Sequence, residues 1–206
     1  MRKQAYTLLL STFLLFGFGG KNELQPYQDK KLSVGQRVDD LLSRMTIEEK
    51  VAQLQIEDFI YDYADKLKLQ KQLKNGLGLI SSYQLDLIKT VESRNIIQKF
   101  VIDNTRLGIP VMFLDEGLHG LMRPDATSFP QAIGLACSWD TNLYERIFTV
   151  VASEMRSRGA QLALSPVLDV CRDPRWGRVE ETYGEDPFLN GKLACAAIKG
   201  FQGSAD

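Results

Sequence analysis

Residues 108–120 have the sequence GIPVMFLDEGLHG, in which an apolar run leads directly into two carboxylates and the only histidine of the chain. The run from Ile109 to Leu114 has the length and composition of a short buried strand. The polar residues after it, Asp115 to Gly120, are therefore expected in a loop at the carboxyl end of that strand. The helices and strands on either side are predicted relative to this strand and loop.

The flanking segments alternate between helical and strand patterns. Helices are predicted for Asp86 to Arg106 and for Asp140 to Arg158, with Asp140 as the N-cap and Gly159 as the stop. A third helix is predicted from Asp186 to about Gln202, because an aspartate N-cap is followed there by proline. Strands are predicted for Gly76 to Ile80 and for Gln161 to Val167. Three strands that alternate with helices indicate parallel strands with crossover helices, an α/β fold.

The amino-terminal part of this region is expected to be helical. Ser33 to Met45 has apolar residues at helical spacing, and Thr46 with Glu49 fits a capping box. Val51, Leu54 and Ile56 are expected to continue the second helix. Glu48 and Glu49 are expected to be solvated carboxylates of its first turn.

Two α/β architectures compete for this pattern. A dinucleotide-binding domain needs G-x-G-x-x-G between the first strand and helix, but here Gly76 and Gly78 lie inside the strand and Ser81 takes the third position. A (β/α)8 barrel carries its chemistry in loops that follow the strands. The charged segments of this chain, 115–120 and 169–186, lie in such loops, so the barrel is favoured.

The first charged loop carries Asp115 and Glu116 side by side. Because consecutive strand residues point to opposite faces, one carboxylate should face the mouth of a barrel and the other its surrounding shell. A carboxylate at the mouth accepts hydrogen bonds from neighbouring hydroxyls of a sugar, but a structural cap or salt bridge explains the pair equally well. His119 alone is more typical of a structural, hydrogen-bonded histidine.

The second charged loop packs three arginines, five acids and two aromatic residues into positions 171–187. Such a balanced cluster indicates internal ion pairs that hold a loop in place. Arginine also offers a planar fork of donors suited to carboxylates or vicinal hydroxyls. Loops of this length in a compact domain are usually functional.

The composition excludes several classes of protein. The chain has 206 residues, 44% of them hydrophobic, and a net charge of −1 from 25 basic and 26 acidic residues. This balance provides no basic surface for nucleic acid. Three cysteines cannot form a disulfide framework, and with one histidine they make a zinc site improbable. In an exported protein these cysteines, Cys137, Cys171 and Cys195, are expected to be buried and reduced.

The first 20 residues have the pattern of a secretory signal peptide. Arg2 and Lys3 precede an apolar run from Leu8 to Phe18, which is too short to span a bilayer. Residues 21–32 are polar and are predicted to be a linker, and residues 33–206 form the predicted domain. The protein is therefore expected to be secreted or periplasmic, with no stable membrane insertion after signal removal.

Several segments together resemble the N-terminal barrel domain of glycoside hydrolase family 3, which includes β-glucosidases and β-xylosidases. They are GIPVMFLDEGLHG, ATSFPQAIGLA, LSPVLDVCRDPRWGRVEETYGEDP and IKGFQG, at residues 108–120, 126–136, 164–187 and 198–203. The resemblance implies the N-terminal part of a (β/α)8 barrel. It also implies that Glu116, three positions before His119, and Arg178, the last arginine of DPRWGR, bind the terminal non-reducing sugar.

The resemblance implies a retaining mechanism with an aspartate nucleophile and a glutamate acid/base, and no metal or organic cofactor. Neither the nucleophile motif nor the family's Lys-His pair is present among these residues, so both catalytic carboxylates are expected beyond Asp206. A (β/α)8 barrel takes about 250 residues, so the chain is expected to be part of a larger product that is inactive alone.

The predicted activity is the hydrolysis of β-glucosides, or of β-xylosides, with β-glucosidase favoured only because it is the broader activity of the family. One alternative is a non-catalytic carbohydrate-binding remnant that uses Glu116 and Arg178 without turnover. A nucleotide-binding α/β protein is a third and weaker interpretation. The expected partner is a β-glycoside or oligosaccharide, and the sequence leaves the oligomeric state open.

Overall fold

The computed structural model describes residues 24–57, 63–81 and 86–203. The predicted signal peptide, residues 1–20, lies outside this part of the chain. The described residues divide into two compact units, 24–44 and 45–203.

The first unit contains a short 3₁₀ helix at Pro26–Gln28 and the helix α1 at Val34–Arg44. The backbone N–H of Tyr27 donates to Asp40 Oδ2 at 3.0 Å, and Arg37 Nε donates to the carbonyl of Tyr27 at 2.9 Å. These bonds tie the 3₁₀ helix to α1. The helix predicted between Ser33 and Met45 is confirmed, and the predicted linker contains the 3₁₀ helix.

The second unit alternates strands and helices in the order of an α/β fold. Its strands are β1 (Ile56–Glu57), β2 (Leu79–Ser81), β3 (Met112–Asp115) and β4 (Leu162–Ala163). Its helices are α2 (Ile47–Ala52), α3 (Lys66–Gln72), α4 (Leu87–Asn104), α5 (Ala132–Ala136), α6 (Thr141–Ser157) and α7 (Pro187–Gln202). The strands are parallel and lie in the sheet in sequence order. Parallel strands with crossover helices, the arrangement of a (β/α)8 barrel, are thus confirmed.

Each of the three long helices in this unit begins at an aspartate. Asp86, Asp140 and Asp186 accept hydrogen bonds from two backbone N–H groups of the first turn, at 2.7–3.2 Å. A carboxylate at this position satisfies donors that have no partner within the helix, and it complements the helix dipole. All three helix starts agree with the sequence predictions.

The strands differ from the predictions in number and in length. The sequence predicted three strands, and the structure adds β1 at Ile56–Glu57, where a helix had been expected to continue past Val51. That prediction was wrong because α2 ends at Ala52. The ladders are also shorter than predicted, since Gly76 has a positive φ of 80° and only two residues of the segment 161–167 pair with β3.

The capping box at the start of α2 is present, but one of its carboxylates has a second role. Thr46 Oγ1 accepts from the N–H of Glu49, and Glu49 accepts from the N–H of Thr46 at 2.9 Å. Glu49 is buried and also accepts from Arg106 Nε at 2.9 Å. The prediction that Glu49 is a solvated carboxylate was therefore wrong, because Arg106 neutralises it in the fold.

Two apolar clusters form the core of this unit. One is built from α3, α4, β2 and β3, and the other mainly from α5, α6 and α7. Gly200 of α7 lies so close to α6 that an added Cβ would be 2.6 Å from the carbonyl oxygen of Glu145. The two helices therefore approach closely at Gly200, where a larger residue would collide with the backbone of α6.

The expectation that the three cysteines are buried was wrong. Cys137 and Cys195 are exposed, Cys171 is partly exposed, and all three are free thiols. Each lies where its helix or loop faces solvent rather than in either apolar cluster. Among the described residues, no helix has both the length and the apolar character needed to cross a membrane.

Candidate active site

The two charged loops begin side by side at one edge of the sheet. Asp115 at the end of β3 pairs in register with Ala163 of β4, and the N–H of Leu164 donates to the carbonyl of Asp115 at 3.0 Å. The N–H of Gly117 then donates to Ser165 Oγ at 3.2 Å. The segment after β3 and the segment after β4 therefore leave the sheet in contact, as parallel strands require.

Asp115 is a fully buried carboxylate held by two arginines. Its Oδ2 accepts from Arg94 Nη2 at 2.8 Å, and its Oδ1 accepts from Arg123 Nε at 3.2 Å and from Arg123 Nη2. The side chains of Arg94 and Arg123 are 3% and 6% exposed. Of the two adjacent carboxylates, Asp115 is thus the one that faces the protein interior.

Arg94 connects this ion pair to the neighbouring helices. Its Nη1 donates to the carbonyl of Arg158 at 2.8 Å, and its guanidinium lies 5.4 Å from the centre of the Phe113 ring. Burial lowers the pKa of Arg94, and the charge of Asp115 opposes that shift. Arg158 in turn donates from Nη1 to the carbonyl of Pro124 at 2.9 Å. The three arginines and Asp115 therefore join α4, β3, the end of α6 and the loop after β3.

Glu116 faces the other way and is half-buried. Within the described part of the chain its carboxylate accepts no hydrogen bond. Burial raises its pKa, and the nearby charge of Glu181 adds to the effect, while the charge of Arg178 opposes it. Glu116 is thus a partly desolvated acceptor with unused hydrogen-bonding capacity at the strand edge.

Arg178 lies in the second loop and forms a bidentate pair with Glu181. Its Nε is 3.0 Å and its Nη2 2.5 Å from Glu181 Oε2. The pair raises the pKa of Arg178, to which the charges of Asp169 and Glu116 contribute, and it lowers the pKa of Glu181. The side chain of Arg178 is 57% exposed. Glu116, Asp169, Arg178 and Glu181 together form what we call the edge cluster.

The edge cluster brings together both residues to which the sequence assigned sugar binding. Asp169 is a member that the sequence analysis treated only as the first residue of a charged loop. Its position five residues after Leu164, close behind a strand end, was the available signal. Arg175 and Asp173 pair with each other at the surface.

His119 is a structural residue of the first loop. Its Nδ1 lies 2.9 Å from the carbonyl oxygen of Phe129, whose N–H donates to the carbonyl of His119 at 2.7 Å. Gly120 and Ser128 form an antiparallel bridge beside them. Among the residues that the structure describes, no group of three or more His, Cys, Asp or Glu side chains is placed to hold a metal ion.

Parallel strands with charged residues at their carboxyl ends define an α/β protein with a polar site at the strand edge. The comparison with known families makes this specific. The model of the glycosyl hydrolase family 3 N terminal domain matches residues 46–205, and the chain belongs to this family.

Similar proteins carry the names of two related activities. A solved β-glucosidase from Erythrobacter marinus superposes with a TM-score of 0.79 at 34% identity, over 88% of this chain and 25% of that one. A xylan 1,4-β-xylosidase from Xylanibacter ruminicola is 31% identical over 98% of this chain and 20% of its own length. A periplasmic β-glucosidase from Salmonella typhimurium is 33% identical over 82% of this chain and 21% of its own length.

The chain spans about a fifth to a third of the length of the curated relatives it matches.

Proposed function

We propose that the protein acts in carbohydrate catabolism outside the cytoplasm, hydrolysing O-glycosidic bonds and releasing terminal non-reducing β-D-glucosyl or xylosyl residues. The observation that carries this proposal is the edge cluster, in which Glu116 offers unused acceptor capacity within the electrostatic reach of Arg178. Membership of the family supplies the reaction class, and the names of the relatives supply the substrate class.

Glu116 would accept hydrogen bonds from two neighbouring hydroxyls of the terminal sugar. A carboxylate that is partly removed from water and makes no hydrogen bond within the described chain is unfavourable until a ligand supplies donors. Sugar hydroxyls are such donors, and bonds to an ionised acceptor are the stronger kind.

Arg178 would donate to the same sugar from its planar fork. The Arg178 side chain is 57% exposed and that of Glu181 is 19% exposed, and an ion pair whose arginine lies at the surface contributes little to stability. The guanidinium can therefore exchange part of its contact with Glu181 for a sugar hydroxyl without a large energetic penalty. Glu181 would hold the fork near the strand edge in the absence of sugar.

The bond cleavage itself needs two further carboxyl groups. A retaining glycosidase uses a nucleophile and an acid/base roughly 5–5.5 Å apart on either side of the scissile bond. Following the resemblance, we assign these roles to an aspartate and a glutamate that are not among residues 1–206. Glu116 and Arg178 hold the sugar so that its anomeric carbon meets that pair.

Substitutions in the complete gene product test the assignment. We expect Glu116→Ala and Arg178→Ala each to lower kcat/KM on nitrophenyl β-glucoside or β-xyloside by roughly tenfold to a hundredfold, because each removes charge-assisted hydrogen bonds to the sugar. The matched control is Glu180→Ala, an exposed glutamate of the same loop, which should stay within about twofold of wild type. A Glu116→Ala enzyme with kcat/KM within twofold of wild type would show that Glu116 does not bind the sugar.

A further inference from the structure

We infer that Arg123 and Asp115 are positioning residues for Glu116: their buried ion pair closes the turn after β3 and fixes the direction of the adjacent carboxylate. The inference rests on the proposed sugar-binding role of Glu116. It concerns two residues that do not face the edge cluster and would make no contact with the sugar.

The first argument is the geometry of the turn. Arg123 follows Asp115 by eight residues and returns to it, so the pair closes a ring of chain that contains Glu116. Within this ring the N–H of Met122 donates to the carbonyl of Glu116 at 3.1 Å. The backbone of Glu116 is therefore held by the hydrogen bond to its own carbonyl and by the ion pair of the adjacent Asp115 side chain with Arg123.

The second argument is the burial of the pair. The Asp115 side chain is fully buried, and Arg94 and Arg123 bind its two oxygens from different directions. A carboxylate bound in this way cannot rotate, and the pair is protected from water and salt. Because adjacent residues at a strand end point to opposite faces, fixing Asp115 toward the interior fixes Glu116 toward the loops. Sites of this kind need their groups held to about 0.5 Å.

The third argument is the support of the segment that directly follows Arg123, residues 124–127. The N–H and Oγ1 of Thr127 donate to the carboxylate of Glu154 on α6, at 3.0 Å and 2.6 Å. Arg158 donates to the carbonyl of Pro124 at 2.9 Å. The turn is thus closed by Asp115, and the segment after it is anchored to the carboxyl-terminal half of α6 and to Arg158. None of these anchors belongs to the edge cluster.

The charges of the pair act on Glu116 in opposite directions. Asp115 raises the pKa of Glu116 and Arg123 lowers it. The intact pair therefore positions the carboxylate while its two charges offset each other. Loss of the Arg123 charge would leave the effect of Asp115 unopposed and would raise the pKa of Glu116 further.

The test is a double-mutant cycle in the complete gene product, assayed on nitrophenyl β-glycosides. Arg123→Lys keeps the charge but loses the planar fork. We expect it to lower kcat/KM about tenfold in the wild-type background and less than twofold in the Glu116→Ala background, because a positioning residue has nothing left to position there. Arg123→Gln, which also removes the charge, should in addition move the acidic limb of the kcat/KM profile to higher pH.

Arg175→Lys is the matched control, since it breaks an arginine–aspartate pair in the neighbouring loop, and it should stay within twofold in both backgrounds. If Arg123→Lys does not fold, Glu154→Ala loosens the segment that follows Arg123 and should show the same dependence on Glu116. Equal losses in both backgrounds would overturn the inference while leaving the proposed function intact. A wild-type enzyme without turnover on any β-glycoside would instead overturn the proposed function.

Discussion

The loop after β3 and the loop after β4 are both rich in arginine and acid, yet they use these residues in opposite ways. In the first loop the ion pairs are buried, with the Asp115 side chain fully buried between two arginines. In the second loop the pairs Arg175–Asp173 and Arg178–Glu181 lie at the surface, and the two arginine side chains are 88% and 57% exposed. The same residue types therefore fix one loop and leave the other able to change partners.

The difference follows from the cost of desolvation. A buried pair that is broken leaves a charge without compensation in a medium of low polarity, so its geometry is held firmly. An exposed pair that is broken returns both charges to water at little cost. A site that must present one carboxylate at a fixed position and also let an arginine meet a ligand needs one loop of each kind.

The largest difference between the two loops is expected when an ion-paired aspartate is removed from each, Asp115 from the first loop and Asp173 from the second. We expect Asp115→Ala to lower the free energy of unfolding by about 3–5 kcal/mol, because two buried guanidiniums lose the charge that neutralises them. Asp173→Ala should leave the urea midpoint of unfolding unchanged within error. Urea denaturation followed by circular dichroism measures both, and similar midpoints for the two variants would contradict the contrast.

The backbones of the two loops should respond differently to a methyl group. At Gly120, where φ is +121°, an added Cβ would lie 2.2 Å from the carbonyl oxygen of Thr127. We expect Gly120→Ala to destabilise the fold by roughly 1–3 kcal/mol through overpacking and backbone strain.

Gly177 of the second loop has no heavy atom within 4 Å of an added Cβ, and Gly177→Ala should change Tm little. Thermal unfolding of the two variants makes the comparison. If Gly120→Ala has the same Tm as the wild type, the first loop is not tightly held.

The smallest expected effect is the pH dependence of two glutamates that lie in different loops. The raised pKa of Glu116 means that the folded state binds its proton more tightly than the unfolded state, so this group's contribution to stability is lost as pH rises through the raised pKa. The lowered pKa of Glu181 has the opposite sign, and its contribution is lost as pH falls through the lowered value.

Glu116→Gln should therefore gain Tm relative to wild type as the pH rises from about 4 to 7, whereas Glu181→Gln should lose Tm relative to wild type over the same range. The corresponding change in the free energy of unfolding should stay below about 1 kcal/mol for each variant, since water screens partly exposed groups. Scanning calorimetry at several pH values measures the trend, and trends of the same sign would refute the assignment of the two environments.

The features that could be predicted from sequence are those decided by neighbours in the chain. The N-caps at Asp140 and Asp186 and the capping box at Thr46 depend on contacts two or three residues away, and all three were predicted correctly. For the helix that starts at Asp86 the sequence predicted the start but named no cap. The order of strands and helices followed from apolar periodicity. Strand β1 was missed because two residues carry no period, and they become a strand only by pairing with β2.

The features that sequence analysis failed to predict are those decided by contacts between residues distant in the chain. Glu49 was assigned to solvent because its partner, Arg106, is 57 positions away. The sequence suggested that Asp115 and Glu116 would face opposite ways, but it gave no sign that Arg94, in the middle of a helix, would bind Asp115. Placement of Glu116 and Arg178 near one edge followed from the resemblance, and their roles as sugar-binding residues stay predictions.

Arg94 also has a consequence for the order in which the molecule forms. Its guanidinium joins positions separated by 21 residues, at Asp115, and by 64 residues, at the carbonyl of Arg158. Contacts between residues so far apart in the chain raise the contact order of the fold, and we expect this junction to form after the transition state for folding. Substitutions there should mainly accelerate unfolding rather than slow folding. We therefore expect the direction of Glu116 to be set late in folding, when α4, β3 and the end of α6 have met.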